Sequence, residues 1–214
     1  MAAESAGENT CSTLVGPAVT AFFAYGYLAV DLFFVLSGFV IYYNYQHMFD
    51  RLDRQRLWSF FAARIARIYP LHLFITLMYL LNPLALMFAS TARAVPLDRY
   101  DPAAYVMSIF LVQNWGFTDR LTWNVPSWSI STEMFAYLIF PPMVLVIRRF
   151  CSSTAMTFFF MGLMLVGLGA LFSGLEVPKL GEMIPQVGLW RCALEFTVGM
   201  AVCHLYMNMS ETVS

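Results

Sequence analysis

Apolar residues run almost unbroken through several stretches of this chain, and polar residues gather between them. The first stretch, Ala18 to Tyr43 (AVTAFFAYGYLAVDLFFVLSGFVIYY), holds one charge, Asp31, and is long enough to cross a bilayer as a single helix, which takes about 20 residues. Leu71 to Ser90, Ser127 to Ile147, Ser153 to Ser173 and Gly188 to Met207 approach the same length, whereas Ala103 to Phe117 falls short of it. The pattern predicts an all-α, multi-pass transmembrane helical bundle of about five spanning helices plus a short re-entrant or interfacial helix.

Composition points the same way. Of 214 residues, 60% are hydrophobic and 12% charged, against roughly 45–50% and 25% in soluble domains. The formal net charge of -1 leaves no basic stripe of the kind nucleic acid requires, so no nucleic-acid partner is expected. Cys11, Cys151, Cys192 and Cys203 stand singly, without metal-type or redox-type spacing, and no metal site is expected. The opening MAAESAGENT has two acids and no base, unlike the positive start of a signal peptide.

Basic residues between the first two stretches (Arg51, Arg54, Arg56, Arg64, Arg67) and at Arg148 and Arg149 mark the cytoplasmic side. The first span then runs inward, Leu71 to Ser90 outward, Ser127 to Ile147 inward, Ser153 to Ser173 outward and Gly188 to Met207 inward. Ala103 to Phe117 is left within an external segment as the re-entrant or interfacial helix; a complete short span is the alternative and would invert every later helix. Pro70 is read as preceding the second span, and Pro83 and Pro141-Pro142 as kinking their helices. Gly162, Gly167 and Gly169 would permit close packing of the fourth span.

Four polar patterns interrupt the apolar background. Asp31 and Ser37 sit in YLAVDLFFVLSGF, and an acid inside a spanning helix costs about 2.5–3.5 kcal/mol on insertion scales, so it either locks neighbouring helices or does chemistry. Arg64 and Arg67, three residues apart in FFAARIARIYPLH, share a helix face. They either mark sidedness or capture phosphates bidentately, such as the pyrophosphate of a coenzyme A thioester. In WNVPSWSISTE, Trp123, Asn124, Trp128 and Ser129 place aromatic and polar groups at the outer interface, where sugars stack or an ordinary aromatic belt forms, and Glu133 lies deeper inside the span. Arg191 and Glu195, four apart, can pair along one face or line a cavity. Together the four give one polar lining through the bilayer, suited to a transferase or a transporter. His47, His72 and His204 fall at expected cytoplasmic ends of spans and are read as interface residues rather than a buried base.

Four blocks in this order, GYLAVDLFFVLSGFVI, RIARIYPLH, VPSWSISTEMFAYLIFPP and RCALEFTVGMAVCHLY, resemble the type-three membrane acyltransferases, integral-membrane O-acyltransferases of bacterial surface polysaccharides. The resemblance implies transfer of an acyl group, most often acetyl, from acyl-CoA to a hydroxyl of a carbohydrate or lipid-linked sugar in the bacterial inner membrane, with no bound cofactor. It implies donor handling by Arg64 and Arg67, and the family's Asp, Ser-Gly-Phe, Trp-Ser and Glu positions fall on Asp31, Ser37 to Phe39, Trp128 with Ser129, and Glu133. With the polar patterns above, Asp31 and Glu133 are the catalytic candidates, and Ser37, Asn124, Trp128, Ser129, Arg191 and Glu195 the candidates for an acceptor or cavity lining. The family's opening helix, with an Arg and a His thought to act in catalysis, and its last helices have no counterpart here, so residues 1–214 are expected to be one partial domain, truncated at both ends and possessing activity only in a longer protein. A transporter or flippase-like carrier and an inactive truncated homologue are the alternatives.

Overall fold

A computed structural model describes residues 26–50, 53–89, 100–177 and 182–213. Residues 18–25 of the expected first span, together with Cys11 and Arg51, lie outside the described residues. Seven α-helices are described: α1 (Tyr27–Tyr45), α2 (Arg54–Tyr79), α3 (Leu81–Ala89), α4 (Pro102–Ile109), α5 (Trp128–Phe150), α6 (Thr154–Gly174) and α7 (Ile184–Val213), with short 3-10 turns at Gln46–Phe49 and Val125–Ser127. Among the described residues, four segments are long and apolar enough to cross a membrane: Tyr27–Phe49, Arg54–Pro83, Val125–Phe150 and Thr154–Gly174. The 30-residue α7 packs beside α1, α5 and α6 and shares their depth in the bundle.

Local chemistry explains where these helices start and stop. Asp53 caps α2 by accepting from the Gln55 amide, Ser153 caps α6 through the Met156 amide, and Asp101 caps α4 through the Ala103 and Ala104 amides, with Pro102 in the first turn. The second span differs from the sequence expectation. Pro70 lies inside α2 rather than ahead of it, so one helix carries Arg64, Arg67 and His72 together. Leu71 to Ser90 is not one helix either: Pro83 has no N–H to bond the carbonyl of Tyr79, and the chain turns at Leu80 before α3 begins.

Side-chain contacts fix the relative directions. Asp31 meets Arg191 and Tyr42 meets His204, so α1 and α7 are parallel. Phe34 meets Trp128 and Arg148 at the end of α5 bonds Gln46 and Asp50, so α5 runs the same way. Phe60 meets Phe49 and Arg64 meets Tyr45, which makes α2 antiparallel to them. This is the alternation the charge pattern predicts.

The core is aromatic, with Phe34, Phe49, Phe60, Phe140 and Phe196 fully buried and the Phe60 and Phe140 rings stacked at 5.1 Å. Outward faces are also apolar. Leu32, Phe159 and Val166 are 59%, 69% and 69% exposed, which in water would be an aggregating surface and in a bilayer faces the acyl chains.

The tightest helix contact lies between α1 and α7. A Cβ on Gly38 would collide with the backbone carbonyl of Phe196, and one on Gly199 would collide with that of Val35. The two glycines therefore allow each backbone to rest on the other. The glycines of α6 do not act this way, because Gly162 and Gly169 have open space around them and Gly167 meets only the Leu194 side chain at 3.8 Å.

The expected helix over Ala103 to Phe117 forms only as α4, Pro102–Ile109. Leu111 adopts a left-handed φ of 58°, which ends the helix. The chain beyond it is tied to the first turns of α5: Gln113 Nε2 donates to Ser127, Trp115 Nε1 to the Ser131 carbonyl, and Ser131 Oγ to the Leu111 carbonyl. The last of these satisfies a backbone carbonyl outside the helices, and the same Ser131 hydroxyl accepts from the Asn114 amide.

Replacing Gly38 or Gly199 by Ala should destabilise the bundle by about 1–3 kcal/mol, the cost of overpacking, while Gly162→Ala and Gly169→Ala should be neutral or stabilising. Thermal unfolding in detergent checks this; equal melting temperatures for all four variants would contradict the contact.

Candidate active-site cavity

A cavity of about 550 Å³ opens between α1, α2 and the start of α5. Its polar lining comprises Ser37 from α1, Arg64, Arg67 and His72 from α2, Asn124 and Ser127 from the turn before α5, and Glu133 and Tyr137 from α5. Phe33, Leu36, Val40, Leu71 and Ile75 supply much of the apolar wall.

Helical spacing explains the convergence. Arg64, Ile68 and His72 recur every four residues along one stripe of α2, and Arg67, Leu71 and Ile75 form the adjacent one. Glu133 and Tyr137 are likewise one turn apart on α5. At the centre, Ser37 Oγ donates to Glu133 Oε1 at 2.8 Å and holds the buried carboxylate in the cavity.

Arg64 is 7% exposed. Its Nη2 donates to Tyr45 Oη at 2.6 Å, and the guanidinium carbon stands 4.6 Å from that ring's centroid. Among the described residues its Nε has no hydrogen-bond partner and neither Arg64 nor Arg67 is salt-bridged to a carboxylate. A buried guanidinium is costly unless an anion compensates it, so this end of the cavity is suited to a negatively charged ligand.

His72, read from the sequence as an interface residue, is buried in this cavity at 3% exposure. Its Nε2 lies 2.7 Å from the Ser108 carbonyl, its Nδ1 is buried with no hydrogen-bond partner among the described residues, and Thr76 Oγ1 is 3.4 Å from Nε2. The signal for it in the sequence is its spacing of eight residues from Arg64, two turns along one face. Assigning Pro70 to a helix boundary conceals it. His204 is also held inside the bundle, between Tyr42 Oη and the Cys151 carbonyl, both at 3.0 Å, whereas His47 is exposed.

The single polar lining expected from the sequence divides in two. Ser37, Arg64, Arg67, Asn124 and Glu133 share the cavity, while Asp31, Arg191 and Glu195 form a separate ion cluster between α1 and α7. Arg191, 1% exposed at its side chain, pairs with Asp31 and with Glu195 Oε1, the latter at 3.4 Å. Between Asp31 and Ser37 on α1 sits Phe34, fully buried and edge-on to Trp128 at 6.0 Å. Trp128 is thus a packing residue rather than an interface platform. Trp123 is engaged by Tyr100, Tyr105 and the Asp101 carbonyl, and Ser129 Oγ donates to the Pro126 carbonyl outside the cavity lining.

Arg191→Met leaves the buried Glu195 carboxylate and the half-buried Asp31 carboxylate without their cation, a loss of about 3–5 kcal/mol. Asp31→Asn should cost less, and the double variant should lose less than the sum of the two. Additive losses in detergent melting would contradict the pairing.

Comparison with known proteins accords with this geometry. Residues 11–209 match the family described as acyltransferase domain. Acyltransferase MdmB of Streptomyces mycarofaciens is 32% identical over 138 residues, which are 63% of this chain and 33% of that protein. The chain thus spans about a third of the length of the curated relative it matches. No solved structure matches. With nearly its whole length covered by the family match, and an all-helical, membrane-type bundle around a polar cavity, this chain belongs to the acyltransferase domain family.

Proposed function

We propose that this chain is part of an integral-membrane O-acyltransferase, moving an acyl group, acetyl in the simplest case, from a coenzyme A thioester to a hydroxyl of a carbohydrate or lipid-linked sugar. The observation that carries this reading is the coexistence, in one cavity, of two guanidinium groups without a carboxylate salt bridge among the described residues and a buried carboxylate fixed by a hydroxyl. Arg64 and Arg67 would take the phosphates of the donor, since planar forks bind them bidentately. Glu133, braced by Ser37, would orient the acceptor. The apolar wall of Phe33, Leu36, Val40, Leu71 and Ile75 suits an acyl group or a lipid-linked acceptor. The bacterial inner membrane, with the arginine-bearing end inside, is the proposed location.

Membranes containing the protein should move label from radiolabelled acetyl-CoA to a carbohydrate-containing product. Arg64→Ala and Arg67→Ala should each raise the donor KM about ten- to a hundredfold, the equivalent of losing hydrogen bonds to a charged group. Glu133→Gln should lower kcat instead. Substrate movement across vesicles with no thioester consumed would contradict the proposal.

A further inference from the structure

We propose that Tyr45 is a positioning residue for the donor: it holds the Arg64 guanidinium at the cavity and so sets how tightly the donor's phosphates bind, an assignment that rests on the acyl-transfer reading above. Tyr45 is the last residue of α1 and does not line the cavity, whereas Arg64 does. Two contacts join them. Arg64 Nη2 donates to Tyr45 Oη at 2.6 Å, and the guanidinium carbon stands 4.6 Å from the centroid of the same ring. The first is a charge-assisted hydrogen bond and the second a cation–π contact, and both gain strength when the cation is withdrawn from water, as buried Arg64 is. One side chain thus fixes both the direction of the fork and its place beside the ring.

The tyrosine is itself held. Phe60 and Arg64 are four residues apart on one face of α2. The Tyr45 ring meets Phe60 edge-on at 5.4 Å while its hydroxyl meets Arg64. Phe60 is fully buried and stacks on Phe140 of α5 at 5.1 Å. A line of contacts therefore runs from the aromatic core through Tyr45 to the guanidinium. An arginine without such support loses rotamer freedom when it captures a phosphate, which weakens binding, and one already held loses less. The neutrality of the partner matters as much as the contact. Asp31 and Glu195 hold Arg191 and compensate its charge. The phenol of Tyr45 holds Arg64 and leaves the positive charge to a ligand.

Tyr45→Phe keeps the ring against Phe60 and removes only the hydroxyl. Its Kd for coenzyme A, measured by titration calorimetry on the purified protein in lipid nanodiscs, should rise about three- to tenfold, the loss of one hydrogen bond. Tyr45→Leu, which also removes the ring face, should raise it further. In the acetyl-transfer assay the donor KM of Tyr45→Phe should rise by the same factor, with kcat within about twofold of wild type. The rise should vanish for S-acetylpantetheine, which carries the thioester without any phosphate, and should not add to that of Arg64→Ala. A residue that only supports the fold would weaken both donors alike. Unchanged coenzyme A affinity in both Tyr45 variants, an equal loss for the two donors, or a loss that adds fully to that of Arg64→Ala would overturn the assignment. If the wild-type protein neither binds coenzyme A nor consumes its thioester, the acyl-transfer reading itself fails; if it does and both Tyr45 variants match it, only the role of Tyr45 fails.

Discussion

The backbone contact between α1 and α7 sets the position of everything polar in this bundle. Two glycines, Gly38 and Gly199, each face a carbonyl of the opposite helix at a separation no side chain would allow. In lipid, where burial of apolar surface drives no association between helices, such close packing is a main source of cohesion. With α1 pressed onto α7, Asp31 falls against Arg191 on one side. On another side of the same helix, Ser37 is presented to Glu133 of α5.

This arrangement separates two uses of charge. The cluster of Asp31, Arg191 and Glu195 compensates itself, and its ionic groups brace α1 against α7 within two turns of the glycine contact. The cavity does the opposite. Among the described residues it leaves Arg64 without a salt bridge, His72 with one unpaired nitrogen and Glu133 with its carboxylate braced by Ser37, all three residues lining a space large enough for part of a substrate. Charges that find partners within the protein hold it together, and those that do not are available to a ligand.

Much of this is legible in the chain, and the failures have physical causes. Long apolar runs and arginine clusters suffice for the helical bundle and the alternation of its helices, because crossing length and sidedness depend on composition alone. Arg64, Arg67, Ser37, Asn124 and Glu133 stand out as polar interruptions, and the structure brings these five together. Asp31 is conspicuous for the same reason, yet it meets Arg191 outside the cavity, since sequence shows that a buried acid needs a partner and not which helix supplies it. His72 escapes notice because Pro70 reads as a helix boundary in water, while in a bundle the helix continues through it and carries the histidine two turns beyond Arg64. The glycines of α6 invite the same error in reverse: three small residues on one helix suggest close packing, but the partner surface lies at Gly38 and Gly199.

A structure of the protein in lipid nanodiscs with a non-hydrolysable thioether analogue of acetyl-CoA tests the central claim most directly. The account predicts the diphosphate against Arg64 and Arg67 and the acetyl end beside Glu133. Ligand density lodged instead at Asp31, Arg191 and Glu195, or outside the cavity between α1, α2 and α5, would contradict it.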